Sequence, residues 1–400
     1  MSVREDRNGA ELAAGESGWT ARPASRMKIA FVVHDYHRAG GHSRYVAELA
    51  TRFSKEHEVH VFANRIQDDG TPGIQFHHVP TWRANAFTTV LTFALPATLQ
   101  VDSSFDIVHS QGFCGFLGNV FTAHVCNQAW YASLGKLEGR ATLRESIFNV
   151  VASGLEHGLY RFRKNCEVIA VSERVKRDLV EYYHCPSPIQ VIYHGTDTEL
   201  FSPQVRQHWR QEARALFGVP ENEFAFLYVG HLRKGARRSI DALARLERGV
   251  LLCVSSTDAE PYRQFARERG VEQRVIFAGH TKNVEKVYAA GDAFLLPTPY
   301  DSFAMVASEA MGCGLPVVVS REAGVSELIE HRVNGLVLED VTSRDELVGH
   351  MRALLDDPQW AETLGCAGRK TVEKLTWDGV ASQTMRVYQE LIQKRRGSQR

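Results

Sequence analysis

The 400-residue chain is longer than one ordinary hydrophobic core needs, so its length predicts two domains. Its 47 Lys and Arg residues balance 47 Asp and Glu residues, and 44% of the chain is hydrophobic, which indicates a globular protein and argues against a nucleic-acid-binding surface. Its seven scattered cysteines show neither a C-x-x-C pair nor metal-ligand spacing, so we expect reduced thiols in a reducing cytoplasm.

The N-terminal end of the chain is polar. Residues 1–26 contain several glycines and no apolar core, so we expect a disordered leader rather than a signal peptide, with Met27 as a second candidate for the biological start. The apolar stretch 86–99 is shorter than the roughly 18 residues that span a bilayer, and it contains Pro96. The sequence therefore predicts no transmembrane segment and a cytoplasmic location.

The first half of the chain alternates short apolar runs with stretches of helical spacing. The run "MKIAFVVH" predicts a buried parallel strand, and a glycine turn then leads into a helix beginning near Gly41. Strand alternating with helix is typical of an open α/β sheet. Further strands are predicted at 58–64, 75–80, 105–112, 166–172 and 189–195.

The second half repeats this rhythm after a boundary at 196–204. Strands are predicted at 224–232, 249–256, 274–280, 293–299, 316–320 and 335–339. We therefore expect an N-terminal Rossmann-like domain over 27–200 and a C-terminal Rossmann-like domain over 201–375. A final helix over 376–400 is expected to pack back on the N-terminal domain.

One glycine-containing turn follows the first strand of each half, which is where α/β proteins bind ligands. Gly40 and Gly41 suit either a structural turn or an anion contact, and their spacing is not the G-x-G-x-x-G of a dinucleotide site. In "GHLRKGARRS", Arg233 and Lys234 stand after Gly230, before a helix. This pair suits either a diphosphate, whose charge rises as it leaves, or two solvated surface cations.

Two acids bracket a stretch of small residues in "PTPYDSFAMVASEAMGCGLPVVVS", residues 297–320. Asp301 lies at a predicted helix entrance, where capping the helix is worth roughly 1 kcal/mol and is a sufficient structural reason for it. Glu309 lies two turns inside that helix among apolar neighbours, so its carboxylate needs hydrogen-bond donors. Ribose hydroxyls would be suitable donors.

This last stretch resembles the hallmark of the retaining family 4 glycosyltransferases: an acid, seven residues, a Glu, and a small-residue run ending in G-x-P. "AGGHSRYVAELA", "VIYHGTDTELFSP", "YVGHLRKG" and "HRVNGLVLED" follow in the order of that family, from Met27 to about Tyr388. "RKGARRSIDAL" with "TAHVCNQAW" is similar to the branch that adds glucose to the lipopolysaccharide core. The resemblance implies the GT-B fold, in which two Rossmann-like domains face each other across a cleft.

The resemblance also assigns roles to residues. Arg233 and Lys234 would neutralise the donor diphosphate, Glu309 would hold the ribose, and Asp301 would reach hydroxyls of the donor sugar. The donor phosphate would meet Gly41 and backbone N–H groups of a helix beginning at Phe303. The full set expected at the donor comprises Gly40, Gly41, Gly230, Arg233, Lys234, Asp301, Phe303, Ala304, Met305 and Glu309.

Two histidines are candidates on the acceptor side. His124 in "FTAHVC" matches the histidine that the family places near the reacting centre, and His109 is the other candidate. The alternative for either is a hydrogen-bonded core histidine. The catalytic set implied by the resemblance is His124, Arg233, Lys234 and Asp301.

The sequence departs from the family pattern at three points. Asp301 is one methylene shorter than the usual Glu, Arg233 and Lys234 are adjacent where many relatives separate their two cations, and "LLCVSSTDAEP" lacks the usual glycine-rich turn. Adjacent residues in an extended chain point in opposite directions, so we expect only one cation of the pair to reach phosphate.

The expected activity is transfer of a hexose from a nucleotide sugar, UDP-glucose first and GDP-mannose next, to a glycan, glycolipid or small-molecule hydroxyl. No metal and no cofactor are expected, and retention is implied by the resemblance. Nine cations against five acids over 136–177 suggest docking on anionic membrane at the inner face of the cell membrane, or an ordinary solvated helix. The rival functions are a nucleotide-sugar 2-epimerase and a nucleotide-sugar-binding protein whose catalysis has decayed.

Overall fold

The computed structural model describes residues 26–38, 40–67, 70–84, 86–133, 143–163, 165–281 and 283–398. All of the expected leader except Arg26 lies outside the described residues. Among the residues described, no helix has both the length and the hydropathy needed to cross a bilayer.

The first sheet has seven parallel strands in the order β5-β3-β1-β6-β7-β8-β9. The strand that contains Ile29 has a neighbour on each side, with Ile29 opposite Val59 and Ile107. Inner strands of a parallel sheet are buried on both faces, which explains their continuous apolar runs. The strands are β1 (Lys28–Val32), β3 (Glu58–Ala63), β5 (Ile74–His78), β6 (Ile107–Gln111), β7 (Val120–Ala123), β8 (Glu167–Ala170) and β9 (Ile189–Val191), with a separate small pair, β2 (Asp35–Tyr36) and β4 (Arg65–Ile66).

Five helices of the described residues belong to the unit of this sheet. The Ser172 hydroxyl begins the fifth by accepting a hydrogen bond from the Val175 N–H, as a capping serine does. The helices are α1 (Gly41–Phe53), α2 (Ala86–Gln100), α3 (Asn127–Ser133), α4 (Leu143–Phe162) and α5 (Glu173–Tyr183). The apolar stretch that contains Pro96 is therefore α2, a surface helix of this unit.

The second sheet has six parallel strands in the order β12-β11-β10-β13-β14-β15. They are β10 (Ala225–Val229), β11 (Val250–Val254), β12 (Val275–Gly279), β13 (Ala293–Leu296), β14 (Val317–Ser320) and β15 (Leu336–Leu338). Its helices are α6 (Pro203–Phe217), α7 (Ala236–Leu243), α8 (Glu260–Glu268), α9 (Val284–Ala290), α10 (Met305–Gly312), α11 (Arg344–Asp356) and α12 (Pro358–Val372).

The last helix, α13 (Trp377–Ser398), returns to the first sheet. Trp377, Val387 and Tyr388 are buried in one apolar cluster with Tyr45 and Phe53 of α1. Burial of these side chains stabilises the packing of α13 against α1, because this apolar area is removed from water only while the two helices stay in contact. The two parallel-sheet units confirm the α/β fold class.

Candidate active site

A cavity of about 500 Å³ is lined by residues of both units. Its walls come from the carboxyl ends of parallel strands and the helix starts that follow them, which is where open α/β sheets bind ligands. The first unit contributes Gly41, His42, His124, Asn127, Trp130 and His194, and the second contributes Gly230, His231, Lys234, Tyr300, Asp301, Phe303, Ala304 and Met305 among others.

Lys234 and Asp301 form an ion pair in the wall of this cavity. The Lys234 ammonium donates to Asp301 Oδ2 at 2.7 Å and lies 5.6 Å from the centre of the Trp130 ring. The other carboxylate oxygen, Oδ1, accepts from the Phe303 N–H at 3.3 Å. Asp301 thus organises the turn before the helix and faces the cavity. It does not cap the helix as predicted, because α10 begins at Met305 and not at Phe303.

The N-terminal end of α10 opens toward the same cavity. Ala304, the residue before the helix, has φ 69° and ψ 63°, the left-handed conformation that an L-residue adopts at a cost of roughly 1–2 kcal/mol. In the described part of the chain no side chain caps this helix. Its first N–H groups and the positive end of its dipole are therefore suited to an anion in the cavity.

Glu309 is buried behind the wall of the cavity and does not line it. Its carboxylate accepts from Arg44 Nη1 at 2.8 Å and from the Tyr288 hydroxyl at 2.6 Å. Burial raises the pKa of Glu309, and the charge of Arg44 opposes this. The donors that the sequence required are thus protein groups here, and since Arg44 belongs to α1, the ion pair joins the two units.

Arg233 and Lys234 diverge, although they are adjacent. Arg233 Nη1 donates to Glu145 Oε1 of α4 at 2.7 Å and does not line the cavity, whereas Lys234 does. The two residues occupy a short 3-10 turn, Leu232–Lys234, which sends successive side chains in different directions.

His124 and His194 form the floor of the cavity on the side of the first unit. Their rings stack with centres 5.5 Å apart and planes 8° apart, and His42 lies 5.8 Å from His124. His124 Nε2 pairs with Gln111 Oε1 at 2.8 Å. Burial first, and then the neighbouring histidines, hold the pKa of His124 well below its usual value, so its imidazole is neutral at physiological pH.

His109 is a core residue, and the structure corrects its placement on the acceptor side. Its ring nitrogens pair with the Tyr388 hydroxyl and the Thr122 hydroxyl, both at 2.6 Å, and burial lowers its pKa to about 3. Of the two turn glycines, Gly41 lines the cavity and Gly40 does not. Gly230 lines it as well.

Several residues of the cavity were not anticipated from the sequence. His194 ends the strand run "IQVIYHG", and burial, followed by the charge of Arg44, lowers its pKa to about 3. Trp130, Asn127 and His42 also line the cavity. The signal that could have found His194 and His42 is their place just after a strand or in the first turn of a helix. Trp130 carried no such signal, because it lies inside α3.

Glu156 of α4 positions α3 and therefore Trp130. Its carboxylate accepts from the Asn127 N–H at 2.8 Å, from Asn127 Nδ2 at 2.7 Å and from the Tyr183 hydroxyl at 2.7 Å. Burial raises the pKa of Glu156 to about 7, although these hydrogen bonds lower it.

Within the described ranges, no group of three His, Cys, Asp or Glu residues is arranged to hold a metal ion.

Comparison with known proteins agrees with this architecture. Residues 39–200 match the family model "Glycosyltransferase Family 4" and residues 210–371 match "Glycosyl transferases group 1". An uncharacterized glycosyltransferase of Methanocaldococcus jannaschii is 28% identical over 90% of this chain and 98% of its own.

Solved structures share the fold. Sucrose-phosphate synthase from Thermosynechococcus elongatus superposes with a TM-score of 0.75 at 24% identity, covering 92% of this chain and 100% of its own. WaaG, a glycosyltransferase involved in lipopolysaccharide biosynthesis, superposes with a TM-score of 0.73 at 20% identity, covering 89% of this chain and 98% of its own. Anabaena HepE in complex with UDP-glucose superposes with a TM-score of 0.67 at 20% identity, covering 91% of this chain and 100% of its own.

The fold is therefore GT-B, the class defined by two parallel-sheet units around a shared cavity. Because the two family matches together span most of the chain, the chain belongs to the family 4 glycosyltransferases and acts as a glycosyltransferase of the group 1 type.

Proposed function

We propose that the chain transfers a hexose from a uridine diphosphate sugar to a hydroxyl acceptor with retention of anomeric configuration. One observation carries the proposal: the Lys234–Asp301 pair stands beside the uncapped start of α10 in a cavity that both units line. The family matches favour this reading over the epimerase and the decayed binding protein, because the relatives reported above are named as transferases or synthases.

The second unit would hold the donor. Lys234 and the first N–H groups of α10 are proposed to stabilise the charge that develops on the leaving diphosphate, while Asp301 accepts hydrogen bonds from hydroxyls of the sugar. Glu309 is proposed to hold the ribose. Its carboxylate already accepts from Arg44 and Tyr288 and does not line the cavity, so the ribose hydroxyls would have to reach the remaining lone pairs of its two oxygens.

The composition of the cavity favours same-face attack. Among the described residues of its lining Asp301 is the one carboxylate, and Lys234 already neutralises it, so it is a poor nucleophile. We propose that the C1–O bond to the diphosphate breaks to an oxocarbenium-like species, and that the acceptor oxygen then bonds C1 on the same face. The acceptor's proton passes to the departing phosphate oxygen. Neutral His124 and His194 would orient the acceptor as hydrogen-bonding groups.

No metal is proposed in this scheme, because the start of α10, together with the Lys234 ammonium that is shared with Asp301, supplies positive charge where a metal would. Turnover should therefore persist in EDTA. Loss of activity in EDTA, restored by Mg²⁺ or Mn²⁺, would contradict metal independence without removing the transferase assignment.

The donor assignment is tested by thermal shift and by turnover with a panel of nucleotide sugars. UDP-glucose is expected to stabilise the protein most, with GDP-mannose next, and the fold shared with HepE, which was solved with UDP-glucose, supports UDP-glucose as the first choice. Lys234→Ala should weaken donor binding about 10-fold to 100-fold, the loss of one charged hydrogen bond of about 1.5–3 kcal/mol.

The control for Lys234→Ala is Arg267→Ala, which removes an exposed cation of α8 paired with Glu260 and Glu272. Unchanged donor affinity in Lys234→Ala, or an equal loss in both variants, would refute the donor site. Epimerisation of the nucleotide sugar without acceptor would favour the isomerase instead.

The acceptor side is proposed to contact anionic membrane at the cytoplasmic face. The structure places an apolar face on α2, where Leu91, Leu95 and Leu99 are 40%, 59% and 77% exposed at helical spacing. A second apolar face on α4 presents Leu143, Ile147 and Val150. Both helices pack against the turn Gly112–Cys114, so these faces lie on neighbouring elements.

We propose that apolar area rather than charge contributes most to docking, because large exposed apolar side chains grouped on neighbouring elements are typical of membrane or partner contacts. Arg161 and Arg163 flank the exposed Phe162 at the end of α4. Lys164, which belongs to the basic segment predicted over 136–177, lies outside the described residues. The prediction is peripheral contact through leucines, with cations at its edge.

Co-sedimentation with phosphatidylglycerol vesicles tests this contact. Leu95→Glu and Leu99→Glu should reduce the bound fraction several-fold, and charge reversal at Arg161 and Arg163 should reduce it less. Leu216→Glu, at a leucine of α6 that is 57% exposed in the second unit, is the matched control. Vesicle binding that none of these changes affects would refute the docking surface.

A further inference from the structure

Asn127, the first residue of α3, lines the active-site cavity and has a side-chain amide that is fixed at one end. Its Nδ2 donates to Glu156 Oε1 at 2.7 Å, and its backbone N–H donates to Glu156 Oε2 at 2.8 Å. The transfer reaction proposed above relies on Lys234, Asp301 and the start of α10, all in the second unit, and it gives Asn127 no part.

Glu156 determines which end of the Asn127 amide faces it. An ionised carboxylate accepts hydrogen bonds and donates none, so it selects Nδ2 and not Oδ1. Oε2 already accepts from the Asn127 N–H and from the Tyr183 hydroxyl at 2.7 Å, which leaves Oε1 for the side-chain amide. Burial raises the pKa of Glu156 to about 7, so the ionised form prevails at pH 8.

The oxygen of the Asn127 side chain is left for a ligand. In the described part of the chain Oδ1 accepts no hydrogen bond, and it is not among the unpartnered polar atoms that the protein encloses. An amide oxygen accepts up to two hydrogen bonds and donates none. A sugar hydroxyl can donate to it, whereas an ionised phosphate oxygen cannot.

Contacts on both sides of Asn127 place it next to the part of the cavity assigned to the donor hexose. The N–H of Cys126 donates to the Tyr300 hydroxyl at 3.4 Å, and Tyr300 directly precedes the acid that pairs with Lys234. The ring centre of Trp130, one helical turn further along α3, lies 5.9 Å from that of Tyr300 and 5.6 Å from the Lys234 ammonium. The start of α3 therefore faces this ion pair from the first unit.

We propose that Asn127 binds the transferred hexose by accepting a hydrogen bond at Oδ1 from one of its hydroxyls, and that Glu156 is the positioning residue that orients the amide. This inference rests on the proposed function for the identity of the donor. It adds a contact from the first unit to a donor that the second unit holds, and this contact depends on the sugar of the donor and not on its nucleotide.

Isothermal titration at pH 8 with UDP-glucose and, separately, with UDP tests the hexose contact, because UDP lacks the hexose. Asn127→Ala should weaken UDP-glucose binding about 3-fold to 10-fold, the loss of one uncharged hydrogen bond, and leave UDP binding unchanged. The matched control is Gln128→Ala, which removes an exposed amide of the same helix that does not line the cavity and should affect neither ligand.

Two results of this titration would overturn the proposal. UDP-glucose binding that Asn127→Ala leaves unchanged would show that Oδ1 meets no hexose hydroxyl. Equal weakening of UDP and UDP-glucose would show that the variant disturbs the cavity as a whole.

Glu156→Gln tests the positioning step. The new amide oxygen is expected to take the place of Oε2, which accepts from two donors, so that the new NH2 group faces Asn127 and turns Oδ1 away from the cavity. UDP-glucose binding should weaken several-fold with UDP binding unchanged, and the change should have no further effect in the Asn127→Ala background. Additive losses, or equal weakening of both ligands, would show that Glu156 only supports the fold.

Lys234→Ala distinguishes failure of this inference from failure of the proposed function. It should weaken UDP and UDP-glucose alike, because both carry the diphosphate. If it changed neither, the proposed diphosphate contact would be wrong, while a selective loss in Asn127→Ala would still uphold the hexose contact. If the donor panel selects GDP-mannose, the same comparison uses GDP-mannose and GDP, and a selective loss again supports Asn127 although the UDP assignment has failed.

Discussion

Arg44 and Glu309 illustrate how one ion pair connects local chemistry with domain arrangement. Their side chains are 11% and 9% exposed, and they belong to different units of the fold. A buried pair contributes little net stability while it is intact, yet removing one partner is costly because a charge is left without compensation.

We therefore predict that Arg44→Met lowers the free energy of unfolding by about 3 kcal/mol, the usual cost of breaking a buried pair. Urea denaturation measures this change. The double variant Arg44→Met with Glu309→Gln should recover part of the loss, because the orphaned carboxylate is gone. If the double variant were less stable than Arg44→Met, the buried charge would not be the cause.

The sequence predicted which residues form the site better than it predicted which side chains pair with each other. Lys234 and Asp301 were predicted from their positions after strands, and they meet in the cavity. The pairing of Glu309 with Arg44 could not be predicted, because the two residues are 265 positions apart and meet only when both units have folded and closed. His109 and His124 both lie at strand ends in the sequence, but His109 is a core residue because its ring pairs with Tyr388 of α13 and with Thr122 of the neighbouring strand.

Ala304 sets the start of α10 by adopting a conformation that costs an alanine free energy. Its φ of 69° lies in the left-handed region, which glycine reaches without the steric clash of Cβ. Ala304→Gly should therefore raise the free energy of unfolding by about 0.5–1 kcal/mol, measured by urea denaturation.

The matched control for this change is Ala307→Gly, inside α10 and fully buried. It should lower stability by about 1 kcal/mol or more, since glycine is unfavourable within a helix and the lost methyl leaves a small cavity. A loss of stability in Ala304→Gly as well would show that the methyl group of Ala304 contributes more than its strained backbone costs.

The contribution of Glu156, which bonds the start of α3, makes the free energy of unfolding depend on pH. Its pKa is raised from 4.5 to about 7 in the folded chain, so the folded state holds the proton more tightly than the unfolded state. The stability from this group is complete below pH 4.5 and is lost as the pH rises toward 7. At about 1.4 kcal/mol per pH unit the loss is on the order of 3 kcal/mol.

Glu156→Gln isolates this contribution. We expect the difference in unfolding free energy between the parent chain and the variant to fall from pH 4.5 to 7 and to stay level above that, measured by urea denaturation at several pH values. A difference that is independent of pH would show that Glu156 stays ionised, held so by the N–H groups of Asn127.

Elements were more predictable than their surroundings. The strand runs and the glycine turn before α1 followed from apolar periodicity, because parallel strands buried on both faces need continuous apolar sequence. The basic segment over 136–177 was harder to interpret. Charge is visible in sequence, whereas the exposed leucines of α2 and α4 look like core residues until packing shows which face is left open.

Closure of the whole molecule depends on contacts between distant segments. The Ser172 hydroxyl at the start of α5 donates to the Ser302 carbonyl at 2.6 Å, and the Tyr300 hydroxyl donates to Asp178 Oδ2 at 3.0 Å. Both contacts join the first unit to the loop that carries Asp301. Such pairs leave no periodic pattern in sequence, which is why the fold class was predictable and the closed arrangement was not.

Gly195 packs against Trp377, the first residue of α13. A substitution at Gly195 therefore tests how tightly α13 is held against the first unit. A Cβ added there would lie 2.7 Å from the Trp377 ring and 2.8 Å from the Trp377 backbone nitrogen, closer than real Cβ atoms approach backbone. Gly195→Ala should therefore displace the start of α13 and cost on the order of 1–3 kcal/mol, as overpacking does.

Thermal unfolding followed by tryptophan fluorescence measures this change, since Trp377 is buried at the contact. The matched variant is Gly349→Ala within α11, where an added Cβ meets nothing within 4 Å. That change should stabilise by up to about 1 kcal/mol through helix propensity. If Gly195→Ala unfolded at the parent temperature, α13 would be held too loosely to seal the first unit, and Tyr388 would not keep His109 in the core.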